Sequence, residues 1–458
     1  MENGNPVPAA GKEGNNSSQS RRRFMKNSSL LVAGAGVTHG LATGIANAAH
    51  PFGDDTIRIG LIGCGGRGTG AASQAMNTEG PTKLVAVADA FENRLKGCLR
   101  GLGDHADKLD VPAERQFVGF DAYKKVLECD IDLVILATPP GFRPMHFEAA
   151  VSAGKHVFME KPVAVDAPGV RRVLAVAKKA KEKSLAVAVG LQRRHEARYQ
   201  ETIQRIHDGA IGDVILGRCY WNGGGVWIRP RKEEHTEMEY QMRNWYYFNW
   251  LCGDHITEQH IHNLDVMNWV KKGYPISANG QGGREVRDDK DTGQIFDHHF
   301  VEYTYEDGSK MFSQCRHIKN CWNAVTEFAH GTKGVAKIGN ASILDMDGNQ
   351  IWAYGKGGGG GHQQEHHDLF ADLRKGILPN EGEYGAMSTM TSILGRMATY
   401  SGKTIKMSDA LQRGKLLSPV DQFASFDDLP PVMPDKEMLY PVPVPGKYQP
   451  LDETSGQA

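Results

Sequence analysis

Apolar positions along the chain change their period near residue 190. Before it, continuous apolar runs at 56–62, 83–88, 132–137, 155–159 and 185–189 alternate with stretches of helical period at 69–77, 143–153 and 168–183. Such short β-prone runs suit strands buried on both faces, and strands alternating with helices form a mainly parallel sheet wound in both directions. After residue 194 a helix at 197–208 leads into β-prone runs at 214–221, 297–305, 309–316 and 326–330, separated by turns such as Glu306-Asp307-Gly308. Short turns imply antiparallel pairing. The expected fold class is α/β, with a doubly wound parallel sheet over 55–190 and an α+β domain with a large open antiparallel sheet over 191–425. Residues 426–458 form a tail, with seven of the chain's 21 prolines between Leu429 and Pro450, expected to be extended and either wrapped on a neighbour or free.

Gly63-Cys64-Gly65-Gly66-Arg67-Gly68 follows the first strand directly, with Gly63, Gly65 and Gly68 at G-x-G-x-x-G spacing. The first glycine permits the tight turn, the second lets backbone approach a pyrophosphate, and the third lets the next helix pack on the strand. Asp89 ends the second strand, twenty-one residues after Gly68. An acidic side chain there accepts from adenosine ribose hydroxyls and repels a 2′-phosphate, which favours NAD; Arg67 and Arg94 keep NADP open. Thr138-Pro139-Pro140, Glu160-Lys161-Pro162 and Gln192-Arg193-Arg194 stand at or just past strand carboxyl ends, where ligands collect in a Rossmann-type sheet.

Charge and cysteine content narrow the function classes. With 53 Lys+Arg against 54 Asp+Glu the chain has no basic field to hold nucleic acid or an anionic membrane. Seven cysteines without a C-x-x-C pair read as free thiols of a protein folded under reducing conditions. Yet residues 1–48 read as a twin-arginine export signal: Ser20-Arg21-Arg22-Arg23-Phe24-Met25-Lys26, a weakly apolar run, then Ala46-Asn47-Ala48 for cleavage after Ala48. That run is too interrupted for stable membrane insertion. Twin-arginine systems move folded proteins, so a periplasmic protein carrying a tightly bound cofactor is expected.

Ala137-Thr138-Pro139-Pro140, His146, Ala149-Ala150, Ala153-Gly154-Lys155-His156-Val157 and Glu160-Lys161-Pro162 together resemble the signature of the Gfo/Idh/MocA family, named for glucose-fructose oxidoreductase, inositol dehydrogenase and MocA. The resemblance implies an NAD(P)-dependent oxidoreductase acting on CH–OH groups of a sugar, cyclitol or related polyol. It implies a homo-oligomer, dimer or tetramer, built on the open sheet. It also places Lys161 beside the nicotinamide and the reacting carbinol, where a partly buried Lys near a cationic ring has a lowered pKa and exchanges a proton. The cofactor set is then Gly63, Gly65, Gly66, Arg67, Gly68, Asp89, Thr138, Pro139, Glu160 and Lys161.

The chemical centre of the second half is Gly253 to Asp265. On a continuous helix, at about 100° per residue, His255, Glu258, His262 and Asp265 share a stripe about 80° wide, with His260 on the far side as a structural residue. The resemblance makes His262 the acid/base and Glu258 and Asp265 its partners; relatives commonly carry Asp at the place of Glu258. Two imidazoles and a carboxylate also resemble a metal-ligand face, but the resemblance implies a metal-free hydride mechanism. Arg193, Arg194, His255 and Trp245 are expected at the substrate, Trp245 within the aromatic group Trp221, Trp227, Tyr246, Tyr247 and Trp250, which suits sugar faces or a core equally. Gly357 to Gly361, followed by His362, Glu365 and His366 opening a helix, read as a linker in preference to a mobile loop near the site. A trapped cofactor must be restored in each turnover, so a redox-neutral glycosidase or lyase is the alternative to net oxidation, and a non-catalytic sugar-binding protein is the reading from another class.

Overall fold

Residues 55–357 and 359–453 are described by the structure, a computed structural model; the leader expected over 1–48 lies outside them. Strands β1 (Ile57–Ile62), β2 (Thr82–Asp89), β3 (Gln116–Val118), β4 (Leu133–Leu136), β5 (His156–Met159) and β6 (Val187–Val189) form a parallel sheet in the order β3-β2-β1-β4-β5-β6. Continuous apolar runs predicted all of these strands but short, half-exposed β3, because both faces of the others are covered: all four residues of β4 are buried. Helices α1 (Gly66–Met76), α2 (Glu92–Gly101), α3 (Ala122–Glu128), α4 (Arg143–Ser152) and α5 (Ala167–Glu182) supply the covering layers. Strand order reverses between β1 and β4, which opens a crevice at their carboxyl ends.

The second half runs α6 (Ala197–His207), β7 (Val214–Gly223), α7 (Glu237–Arg243), α8 (Asn249–Cys252), α9 (His255–Glu258), α10 (Ile261–Lys271), β8 (Ser277–Gly283), β9 (His298–Thr304), β10 (Lys310–His317) and β11 (Ala324–Gly331). It continues through β12 (Gly334–Lys337), β13 (Ser342–Asp345), β14 (Gln350–Ala353), α11 (Gly361–Arg374), α12 (Gly382–Ser401), β15 (Ile405–Lys406) and α13 (Met407–Arg413). Its described strands form one sheet in the order β14-β13-β12-β11-β7-β10-β9-β8-β15, antiparallel except for the β7–β10 pair. Glycine-rich β8 has no apolar period because α12 lies close over it. A Cβ on Gly280 would sit 2.6 Å from the Phe300 carbonyl oxygen and 3.0 Å from Thr399 of α12.

Two connections differ from the expected organisation. Helix α11 returns to the first sheet: Leu369 and Phe370 are buried in the same core as Ala71 and Phe158, and the Gln363 side chain donates to the Gln74 carbonyl at 2.9 Å. The tail packs on its own chain. Phe426, Val432 and Tyr440, with Val420 and Phe423 just before the tail, complete a third core with Phe91, Phe142, Tyr240, Phe248 and Trp250, and the Tyr440 hydroxyl donates to Glu237 at 2.5 Å. No described helix is long and apolar enough to cross a membrane.

Candidate active site

The turn after β1 is fixed by close packing on one side and left open on the other. Gly63 has φ +101°, and a Cβ there would lie 2.6 Å from the Ala137 carbonyl carbon; a Cβ on Gly68 would lie 1.8 Å from the Gly63 oxygen. Gly65 and Gly66 would meet nothing within 4 Å. Helix α1 begins there without a side-chain cap, so its first amides point into open space, as a bound pyrophosphate requires. A cavity of about 470 Å³ runs from this turn past Asp89, Thr138 and Pro139 to Trp227 and Trp245. These residues therefore fit a dinucleotide.

Asp89 stands at the end of β2. Its carboxylate accepts the Cys64 amide at 2.7 Å and the Phe91 amide at 2.9 Å. Burial pushes its carboxyl up from the ordinary range, against those two amides. Trp245, expected at a substrate, instead forms the far wall of the cofactor cavity with Trp227, at 5.9 Å between ring centroids.

Glu160-Lys161 lies past the end of β5. Glu160 is 4% exposed and pairs with Arg67 at 2.7 Å, which ties the glycine turn to this motif. The Lys161 ammonium donates to the Glu258 carbonyl oxygen at 2.5 Å and faces its carboxylate at 3.2 Å. Burial raises the Glu258 pKa and the Lys161 charge opposes that rise. His262, buried and stacked on Trp221 at 6.0 Å, has its Nδ1 without a hydrogen-bond partner. Burial, then the charges of Lys161 and Arg193, hold its pKa well below the usual value, so it is a neutral imidazole at pH 7.

The expected continuous stripe is broken. Gln259 and His260 separate α9 from α10, so the helical wheel does not carry across. His255 lies in a different, fully buried cluster: it is 2.9 Å from Asp254, stacks on His317 at 4.3 Å, and has its pKa lowered to about 4 by burial. Asp254, His255 and His299 have donor atoms within 4.8 Å of one another. The Asp254 carboxylate there already accepts from the His255 and Phe296 amides and the Tyr400 hydroxyl, while both ring nitrogens of His255 and Nε2 of His299 have no hydrogen-bond partner. His260 is buried and bonded to Ser313 at 2.7 Å, a structural position.

Asp265 and Arg194 were expected at the reaction and are bonded to each other instead. The guanidinium meets the carboxylate at 2.8 and 2.9 Å, Ser388 donates to the same carboxylate at 2.7 Å, and Tyr384 stacks on Arg194 at 4.1 Å. Arg193 is likewise paired with fully buried Glu327. The pairing satisfies charges that burial would otherwise penalise severely.

The start of α11, expected to follow a linker, packs against the first domain. Gly361 packs so closely that a Cβ would lie 2.6 Å from the Gln192 carbonyl oxygen, which fixes the helix start against the segment after β6. His362 interacts electrostatically with Arg67, Glu160 and Lys161, while Glu365 and His366 are fully buried. A Gly-rich stretch ending in H-x-x-E-H at a helix start was the available signal.

Comparisons with known proteins agree with this fold. Residues 57–190 match the GFO_IDH_MocA family, described as an oxidoreductase family with an NAD-binding Rossmann fold. Inositol 2-dehydrogenase of Rhizobium meliloti is 27% identical over 295 residues, 64% of this chain and 78% of that enzyme. Inositol 2-dehydrogenase/D-chiro-inositol 3-dehydrogenase of Halalkalibacterium halodurans is 30% identical over 215 residues, 47% of this chain and 53% of that enzyme. In fold the chain resembles scyllo-inositol dehydrogenase from Lactobacillus casei, solved with NAD(H) and scyllo-inositol, at TM-score 0.58 and 20% identity over 77% of this chain and 99% of that one. It also resembles aldose-aldose oxidoreductase from Caulobacter crescentus, at TM-score 0.60 and 18% identity over 77% and 99% of the two chains. Over residues 57–190 the chain carries the NAD-binding domain of the Gfo/Idh/MocA oxidoreductases, and it is an NAD-dependent oxidoreductase acting on CH–OH groups.

Proposed function

We propose that the chain oxidises a secondary hydroxyl of a cyclitol or sugar, with Lys161 and His262 managing the proton. The observation that carries this reading is the Lys161–Glu258 contact, 2.5 and 3.2 Å, held past β5 next to Glu160, which pairs with Arg67 of the cavity wall. Bound nicotinamide supplies the hydride acceptor. Lys161, fixed by two oxygens of Glu258, presents its third N–H to a carbinol oxygen, and neutral His262 accepts the proton released there. Substrate preference for inositols rests on the relatives' names. Reduction of NAD followed at its absorbance band with a panel of inositols and aldoses tests the reading, and Lys161→Ala must slow it at least about 10²-fold. No turnover with any polyol would sink it.

We infer further that the cofactor is held tightly, which favours a redox-neutral cycle as the second reading. Its support is the wall of Trp227 and Trp245 across the cavity, with the Arg243 guanidinium stacked on Phe91 at 4.1 Å. Retention for hours needs an off-rate near ~10⁻⁴ s⁻¹; with an on-rate of about 10⁶ M⁻¹s⁻¹ the Kd is roughly 10⁻¹⁰ M. Such retention accords with export by a twin-arginine leader into the periplasm, which we also propose. Mass and absorbance of whatever protein purified without added cofactor releases on denaturation test this; an empty protein counts against retention.

The outer face of the second sheet carries Tyr220, Phe300, Phe312 and Phe328, with Phe300 41% exposed. We read it as the surface on which copies of the chain associate. Sedimentation would give a dimer or tetramer, and Phe300→Glu would shift it to monomer.

A further inference from the structure

The turn before α9 buries a carboxylate without a permanently charged partner. Asp254 is fully buried, and among the described residues its ion-pair contacts are to two imidazoles, His255 Nδ1 at 2.9 Å and His299 Nε2 at 3.3 Å, with no Lys or Arg among them. Buried charges in native folds are paired or coordinate a metal. The backbone bends to put this one in place: Asp254 has φ +72°, a conformation that side chains of its hand rarely adopt. Strain of that kind gathers at functional positions.

Both imidazoles are arranged as ligands. Neither ring nitrogen of His255 has a hydrogen-bond partner, although the side chain is closed to solvent and packs on His317 at 4.3 Å and on His299 at 4.9 Å. Buried polar atoms are nearly always paired, so two on one ring mark a place for something that binds nitrogen. His299 is fixed from behind. Its Nδ1 lies 2.8 Å from Thr399 Oγ1, and the single Thr399 proton goes to the Gly395 and Arg396 carbonyl oxygens at 3.2 and 3.1 Å. Nδ1 of the neutral ring therefore donates, and Nε2 keeps its lone pair. That lone pair faces the Asp254 carboxylate, and a cation shared by the two acceptors resolves their repulsion. Metal-bound histidines ordinarily have their other nitrogen tied to a neighbouring polar group in this way.

We propose that Asp254, His255 and His299 hold a zinc ion, a structural centre separate from the hydride chemistry at Lys161. Ligand atoms about 2.0–2.1 Å from a tetrahedral zinc stand roughly 3.3 Å from one another. Separations of 2.9 and 3.3 Å match that spacing, and the three donor atoms all lie within 4.8 Å of one another. Two imidazole nitrogens and one carboxylate oxygen suit zinc, whereas calcium and magnesium take oxygen ligands. Neighbouring guanidinium groups are turned to other partners: Arg287 to the Phe296 carbonyl oxygen and His317, and Arg396 to the Gly253 carbonyl oxygen. The ion would pin the start of α9 to β9. The Asp254 carbonyl oxygen accepts the amide of Glu258 at 2.9 Å, so the same anchor steadies the residue that holds Lys161. Because the three side chains are closed to solvent, the ion enters as the chain folds.

Metal analysis of the full, untagged chain purified without added metal tests the site. About one zinc per chain is expected to survive gel filtration in EDTA. Refolding from denaturant with cobalt(II) in place of zinc should give the visible bands of tetrahedral cobalt, and a higher melting temperature than refolding with EDTA. The double change His255→Ala with His299→Ala should remove both the metal and the bands. Where that variant does not fold, Thr399→Val keeps the three ligands and removes only the acceptor behind His299. It should weaken zinc binding about 10- to 100-fold in chelator competition. A parent chain that binds neither ion stoichiometrically, and refolds to one melting temperature with or without zinc, overturns the proposal and leaves a protonated imidazole as the partner of Asp254. One zinc per chain in a folded double variant also overturns it, as does unchanged affinity in Thr399→Val where the double variant does not fold.

Discussion

At Lys161 the immediate neighbours define the chemistry. Its ammonium is held by two oxygens of one residue, so Lys161→Ala should lower kcat by about 10²- to 10⁴-fold. NAD affinity, measured by fluorescence titration, should change little. Glu258→Gln keeps the carbonyl contact and removes only the charge, so its loss should be smaller. Glu365 gives a prediction with a sign. Because its pKa in the fold lies well above the ordinary value, unfolding releases a proton once pH exceeds about 4.5, and stability falls as pH rises toward the folded pKa. Glu365→Gln, which cannot ionise, should gain stability relative to the parent over that range, by up to about 1.4 kcal/mol per pH unit, in thermal melts at successive pH values.

At the scale of elements, legibility followed burial pattern. Strands buried on both faces announced themselves as apolar runs, and β1 was read within one residue of its bounds. Helix α12 was not read at all: seventeen of its twenty residues are buried around the whole circumference, so no polar face marks its period. Its hydroxyls hide by bonding back to the helix, as Thr389 does to the Gly385 carbonyl at 2.8 Å. Gly395 shows how close that packing is, since a Cβ would lie 2.0 Å from the Tyr303 hydroxyl. Gly395→Ala should cost about 1–3 kcal/mol in denaturant unfolding. The candidate site divided in the same way. Glu160-Lys161 and the glycine turn were legible because their chemistry is local in sequence. The pairing of Arg194 with Asp265 was not legible, because it joins positions seventy-one residues apart, a contact no periodicity reveals.

Across the whole molecule the buried histidines act together. His146 and His260 have pKa values lowered to about 3 by burial, and His255 to about 4. Each takes up a proton on unfolding once the pH falls below about 6.5, so stability present above that pH is lost on acidification, by roughly 4 kcal/mol per pH unit for the three together. Denaturant midpoints measured from pH 7 to pH 5 should drop steeply. The third core supplies another test. Phe426 stacks on Phe91 at 5.0 Å, and the Arg231 guanidinium donates to the Tyr440 hydroxyl at 2.7 Å, so the tail braces the wall that borders the cofactor cavity. Ending the chain at residue 414 should raise the cofactor off-rate about tenfold or more, read by dilution into a competing dinucleotide.

That brace follows both sheets in the order of the chain. Chains grow from the amino end at roughly 5–20 residues per second, so both sheets emerge before Phe423, Phe426 and Tyr440 do. The nascent protein therefore passes through a roofless stage, with the glycine turn formed and Phe91 not yet covered by Phe426. If the cofactor is retained as proposed, loading at that stage would be faster than loading of the folded protein, a difference that adding dinucleotide during or after synthesis would reveal.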